Sequence, residues 1–173
     1  MELNAPLTTD RLMLRSPALT DAPFIRSLLI DRDVRRFLGG PVPDQHLKSI
    51  VSEILTHNPE TAYWLVMIKT DQSPIGLVSI MDHHDGAERE LSYQFKPAAW
   101  GMGFSFEAAS CVLHHAINNC GMVRLISETQ SANTASRRLL ARLGMEETAQ
   151  VYRFGAAQVI YATGKHSLVT QQD

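Results

Sequence analysis

The stretch Trp100-Gly101-Met102-Gly103-Phe104-Ser105, with Phe106-Glu107-Ala108-Ala109 directly behind it, holds the residue types and spacing most suited to chemistry. Two glycines one residue apart stand between a strand-like run at 90–95 and a helix-like run at 104–118. Glycine lets the main chain come close to a ligand and take conformations that a Cβ would forbid. A helix that starts there offers unpaired N–H groups and the positive end of its dipole, which together hold phosphate. The pattern predicts a site for a phosphate-bearing cofactor, centred on Gly101 and Gly103.

Three cofactor classes use such a loop. A phosphate-binding loop of the nucleotide-hydrolase type needs Lys-Ser/Thr after its second glycine. Phe104 and Ser105 stand there instead, which excludes it. A dinucleotide fingerprint needs a third small residue where this chain has Phe106, and an acid about 20 residues further on. Glu128 meets the second condition. The preceding run argues against that reading, because a dinucleotide strand is buried on both faces and continuously apolar. Here Leu91, Tyr93 and Phe95 alternate with Ser92 and Gln94, and 96–99 makes a longer link than the tight turn required.

The third class fits the whole pattern. Strand, Pro-containing link, Trp-Gly-x-Gly-aromatic and then Glu-Ala inside a helix resembles the coenzyme-A-binding motif of the GCN5-related N-acetyltransferases (GNAT). Within that superfamily it resembles the branch that acetylates ribosomal-protein N-termini. Residues 7–15 look like that branch's opening strand and 74–80 like its third strand. The run from Asn133 to Met145, with Asn-x-x-Ser at its start and Leu-Gly-Met at its close, looks like its penultimate helix. The resemblance covers about residues 8–164. Trp100 stands where most of the superfamily has Gln or Arg, and Ser105 where it has Gly or Ala.

The resemblance implies a mixed α/β fold: a mostly antiparallel sheet of six to seven strands, about four helices, and a splayed parallel pair in the middle. Acetyl-coenzyme A would be the co-substrate, its pantetheine arm lying between strands 91–95 and 123–128. A free main-chain N–H near Phe95 would face the thioester carbonyl. Trp100, Gly101, Met102, Gly103, Phe104, Ser105 and Phe106 would surround the pyrophosphate, with Asn133 reaching the pantetheine. Glu90 would take the amine proton, directly or through water, with His83 and His84 as alternates. Ser136 would protonate the leaving thiolate, Tyr152 and Tyr161 being alternative donors. The implied reaction is acetyl transfer to a primary amine, on a protein N-terminus or a small molecule, by direct attack in a ternary complex. A silent acyl-coenzyme-A-binding module and a dinucleotide-dependent oxidoreductase are the alternatives.

Composition sets wider bounds. A chain of 173 residues is long enough for one well-cored domain and short for two. It is 45% hydrophobic and 20% charged, as ordinary globular proteins are. No apolar run approaches the roughly 20 residues of a membrane span, and the first residues lack the pattern of a secretory signal. A net charge of −2 argues against bulk attraction to nucleic acid. Two cysteines outline no disulfide framework, so reduced thiols and a cytoplasmic setting are expected. A monomer and a homodimer both remain open.

The elements that must position these residues are legible as patterns. Strands are expected at 11–15, 62–69, 74–81, 90–95 and 123–128. Helices are expected from about 20, at 44–55, 104–118 and 133–143, with a helical turn at 33–38. A closing hairpin should pair 147–154 with 158–163 across Gly155-Ala156, and 165–173 should form a polar, frayed tail. His83-His84 and His114-His115 invite a metal reading, but neighbours on a strand or helix point apart and no His-x-x-x-His spacing accompanies them. No metal is expected. Arg137 and Arg138 are read as surface residues, although they could meet the adenosine phosphates.

Overall fold

The computed structural model describes residues 2–56, 58, 60–86 and 88–164, so the expected tail lies outside the described residues. The strands are β1 (Leu7–Thr8), β2 (Leu12–Arg15), β3 (Ala62–Ile68), β4 (Pro74–Asp82), β5 (Arg89–Phe95), β6 (Ile126–Gln130), β7 (Met145–Arg153) and β8 (Ala156–Thr163). They form one eight-stranded sheet in the order β1-β2-β3-β4-β5-β6-β8-β7. Among the described residues only β5 and β6 run parallel, and their pairing registers at a single position, Glu90 against Ile126. The helices are α1 (Ala22–Leu29), α2 (Arg32–Arg35), α3 (Asp44–Leu55), α4 (Phe104–His114) and α5 (Thr134–Arg142).

This is the expected mixed fold, with more pieces than the patterns predict. The opening strand is two, because β1 folds back on β2 with Leu7 opposite Leu14. The helical turn expected at 33–38 is the short helix α2, started by the Asp31 carboxylate, which accepts from the N–H groups of Asp33 and Val34.

Each face of the sheet has its own core. On one, Leu12, Trp64, Val78, Leu91 and Phe95 pack against Phe104, Ala108, Val112 and Leu113 of α4 and Leu140 of α5. On the other, Tyr63 and Leu77 meet Ile25, Leu28 and Leu29 of α1 and Leu47 and Ile54 of α3. The strand period of two therefore turns Leu91, Tyr93 and Phe95 towards α4 and α5. Glu90, Ser92 and Gln94 turn towards the α1–α3 face.

Three boundaries differ from the sequence expectation. β6 starts three residues later than 123, because Val123 is exposed and the β8 ladder begins only at Ile126 opposite Ala162. Glu128 thus lies inside the strand. The helix expected to run from 104 to 118 is α-helical only to His114, and then widens into a π-helical turn at His115–Asn119. There buried His115 is pinned by the carbonyls of Glu2 and Leu3, each 3.0 Å from its Nε2. The hairpin turn is Phe154-Gly155 rather than Gly155-Ala156, with φ of 53° and 74°. Positive φ at both central residues matches the right-handed twist of the flanking strands.

Cys111 and Cys120 are both free thiols. Among the described residues, no helix is long and apolar enough to cross a membrane.

Candidate active site

β5 organises the site. The Lys96 N–H bonds the Ile75 carbonyl at 2.9 Å. By the alternation of an antiparallel ladder, the main-chain groups of Glu90, Ser92 and Gln94 then serve β4. Those of Tyr93 and Phe95 point to the opposite edge, where β6 has already diverged. Trp100 meets one of them: its indole Nε1 donates to the Phe95 carbonyl at 2.8 Å. The departure at Trp100 thereby anchors the loop to the end of the strand.

Below this edge the chain turns through Pro97–Ala99 into the glycine loop. Gly101 and Gly103 take φ of +75° and +79°, a region that side chains strain to enter. Gly103 caps α4, whose first helical bond runs from the Glu107 N–H to the Gly103 carbonyl. The N–H groups of Phe104, Ser105 and Phe106 therefore have no helical acceptor. A latch holds the loop from outside. Arg11 pairs with Glu107 at 2.6 Å, donates to the Met102 carbonyl at 3.0 Å and lies over the Phe104 ring. Thr9 also bonds Glu107. Nothing in the residue spacing marks this latch, since the two sides are far apart in the chain.

A groove of about 540 Å³ runs along the splayed edge. Phe95, Trp100, Gly101, Gly103, Ser105, Phe106, Asn133 and Ser136 line it together, with Tyr93, Gln94 and Arg36, Phe37 from the segment after α2. Met102 lies outside the lining with its side chain exposed, and the Phe104 ring is buried in the core. Only their main chain is available to a ligand in the groove. Arg138 and Arg142 of α5 also line it, and Arg138 is the exposed residue expected. Arg137 instead turns to Tyr161 and Glu147.

These features fit acetyl-coenzyme A. Orphan helix N–H groups and three arginines suit a polyphosphate, and the strand edge offers main-chain partners to an amide-bearing arm. Gln94 Oε1 is buried with no hydrogen-bond partner, leaving an acceptor on a lining residue. Asn133 caps α5 by accepting from the Ser136 N–H at 3.2 Å, which leaves its amide NH₂ for other use.

Ser136 has a partner that sequence reasoning missed. Its Oγ lies 2.8 Å from the Tyr93 hydroxyl, across the splay. Burial pushes the Tyr93 phenol up to about 12, despite the bond to Ser136. Tyr93 therefore stays neutral and able to donate. The strand alternation that puts Tyr93 beside Leu91 and Phe95 was the available signal. Tyr152 and Tyr161 do not reach the groove: Tyr152 is exposed and bonds the Gly155 carbonyl, while Tyr161 is buried against Arg137.

Glu90 lies outside the groove lining, at the one rung where β5 and β6 still pair. Its Oε1 accepts the Glu128 N–H at 3.2 Å. Burial raises its pKa above the ordinary carboxylate range. The Glu128 N–H bond and the charges of His83 and Arg153 oppose that shift, and the charge of Glu128 adds to it.

Glu128 behaves in the opposite way. Burial pushes it up, but Arg153 and His83 more than offset this and its pKa is lowered. Arg153 holds both its oxygens, with Nε at 2.8 Å from Oε1, and His83 Nε2 lies 2.8 Å from Oε2. The acid that a dinucleotide site would use is thus tied into an ionic cluster. His83 Nδ1 faces Asp85 at 2.7 Å. Burial lowers His83, yet its carboxylate neighbours win and the imidazole titrates above its usual value.

The two loop histidines do not point apart, because they follow the end of β4 rather than lying on a strand. Their rings are 4.1 Å apart, and His83, His84 and Glu128 could offer three ligand atoms within 4.8 Å of one another. The Arg153 guanidinium already lies against two of those groups, 3.1 Å from His83 Nε2. An internal cation neutralises this cluster.

Comparison with known proteins agrees with the geometry. The family model "Acetyltransferase (GNAT) domain" matches residues 11–146. The uncharacterized N-acetyltransferase YnaD of Bacillus subtilis (strain 168) is 23% identical over 140 residues, 80% of this chain and 81% of that one. A GNAT-family acetyltransferase from Bacillus anthracis has the same fold, with a TM-score of 0.79 at 18% identity over 93% of this chain and 99% of the other. A Vibrio cholerae protein assigned as a ribosomal-protein-serine acetyltransferase superposes with a TM-score of 0.73 at 18% identity, over 94% and 98% of the two chains. The splayed parallel pair, the glycine loop capping α4 and a family match over most of the chain lead to one conclusion: this protein belongs to the GNAT acetyltransferase family and is an N-acetyltransferase.

Proposed function

We propose that the protein transfers the acetyl group of acetyl-coenzyme A to a primary amine by direct attack in a ternary complex. The observation that carries this reading is the splay of β5 from β6, with Glu90 at its closed end and the Tyr93–Ser136 pair across its open side. Such transfer needs two substrates held together, a polarised thioester carbonyl, a deprotonated amine and a protonated leaving thiol. The groove supplies the first. A main-chain N–H of Phe95 on the splayed edge would supply the second. The loop Gly101–Gly103 and the α4 N-terminus would hold the pyrophosphate, with Arg138 and Arg142 close by.

Glu90 is assigned as the base. An alkylamine with a reference pKa near 10 arrives protonated at neutral pH. A partly buried carboxylate with a raised pKa is better matched to take that proton than an exposed one. Ser136, held by Tyr93, is assigned as the donor to the leaving thiolate. The thiolate needs little help, because a thiol's reference pKa is only about 8.5.

The acceptor we favour is a protein N-terminus of the kind that the ribosomal-protein branch modifies, with a small-molecule amine as the second class. Support comes from the order of motifs along the chain and from the likeness to the Vibrio cholerae fold. The test is an acceptor screen that follows release of free coenzyme A over peptides with free N-termini, polyamines and aminoglycosides. Turnover with peptides alone supports this assignment. Turnover only with small amines retires the protein-N-terminus assignment, and none with any amine retires the function.

A further inference from the structure

The closing hairpin reaches the candidate base through charge. Arg153 ends β7, just before the Phe154-Gly155 turn, and grips Glu128 of β6 through both carboxylate oxygens. The same guanidinium lies 3.1 Å from His83 Nε2 in the loop after β4. Glu128 in turn presents its main-chain N–H to the Glu90 carboxylate at 3.2 Å. Four segments thus meet around the Glu90–Glu128 pair. Two carboxylates side by side cannot both ionise freely unless one is compensated, and the guanidinium is placed on Glu128 rather than on Glu90.

We propose that Arg153 is a positioning residue for acetyl transfer: by clamping and neutralising Glu128 against His83, the hairpin orients the β6 N–H that holds Glu90 and leaves Glu90 as the one carboxylate of the pair able to exchange a proton. This rests on the reading of Glu90 as the base. The charged groups around Glu90 are His83 with Asp85 behind it from the β4–β5 loop, Glu128 from β6 and Arg153 from β7. Their titration directions agree with the geometry, Glu90 being raised and Glu128 lowered. A pair whose environments push it apart in this way separates the proton-exchanging member from the fixed one. The hairpin turn also touches the histidine loop, since Phe154 packs its ring 5.1 Å from His84.

The test reads the Glu90 carboxyl directly, by side-chain ¹³C NMR on glutamate-labelled full-length protein, with the signal assigned by its loss in Glu90→Gln. In Arg153→Met the uncompensated Glu128 should move the Glu90 midpoint up by about one pH unit. Glu128→Gln should move it down. The double variant should return it close to the wild-type value, and Arg153→Lys, which keeps the charge, should shift it least. An unmoved midpoint in folded Arg153→Met, or a double variant that fails to cancel, overturns the coupling. If Arg153→Met does not fold, Glu128→Gln still decides, because an unchanged midpoint there overturns it equally. The acid limb of turnover with whichever amine the screen finds should follow the midpoint. A midpoint that moves while the limb stays put removes Glu90 as the base and with it the catalytic role of Arg153, whereas the electrostatic link would stand.

Discussion

At its C-terminal end β5 runs straight into the glycine loop and α4, so Phe95, Trp100, Gly103 and the free helix N–H groups are set by one stretch of chain. At its N-terminal end the same strand meets His83, Glu128 and Arg153, which arrive from three other elements. The first end is a scaffold for a polyphosphate, made of main-chain dipoles that need no titration. The second is an ionic cluster in which the state of each group depends on the others. Positioning by main chain survives most side-chain changes, while positioning by charge does not.

The largest effect should come at the ionic end. Glu90→Gln is expected to lower turnover by about 10²-fold or more, the usual scale for loss of a general base. Its pH dependence gives a sign. Glu90 must be ionised to accept a proton and its pKa is raised, so wild-type turnover falls as pH drops through that raised value. The variant should lack this limb, and its deficit should shrink at high pH as amines deprotonate unaided. Full activity near neutral pH in Glu90→Gln would move the base to the histidine loop.

Next comes the point where the scaffold is tightest. A Cβ on Gly76 would lie 2.4 Å from the Phe95 ring, its cross-strand partner. Gly76→Ala should displace Phe95 at a cost of about 1–3 kcal/mol, the range for overpacking. Urea unfolding measures it, and wild-type stability would show that Phe95 moves freely. Gly103→Val should weaken acetyl-coenzyme A binding at least about tenfold, or roughly 1.4 kcal/mol, because Gly103 sits at φ +79° at the mouth of the helix. Calorimetry on the folded variant decides this one, and unchanged affinity would sink the loop assignment.

Ser136→Ala should cost least. It removes the donor assigned to a leaving thiolate that needs little help, and a loss of about fivefold in turnover, or roughly 1 kcal/mol, is expected. A loss as large as that of Glu90→Gln would make thiol protonation the demanding step and invert the proposed contrast between the two ends.

The same contrast explains what could be read without coordinates. The glycine loop and the alternation of β5 were legible because each is a pattern of neighbours. The clamp of Arg153 on Glu128 was not, and Glu128 on its own looked like a ribose-binding acid. Alternation marked the face of Tyr93 but not its partner, since its hydroxyl meets Ser136 only because β6 leaves β5 after one rung. The two histidines were misjudged for the same reason, since their direction depends on where β4 ends.

Local rules therefore determined the elements, the two apolar faces, and a loop whose backbone only glycine adopts at ease. Those rules act over a few residues, through hydrogen-bond geometry and the period of side chains. Tertiary structure alone decided which carboxylate became the raised one. Glu90 and Glu128 are chemically the same group, and what separates them is the placing of one guanidinium on Glu128 and the burial of Glu90 at the apex of the splay. Charge and desolvation act through space, and the spacing of residues along a chain does not carry that distance.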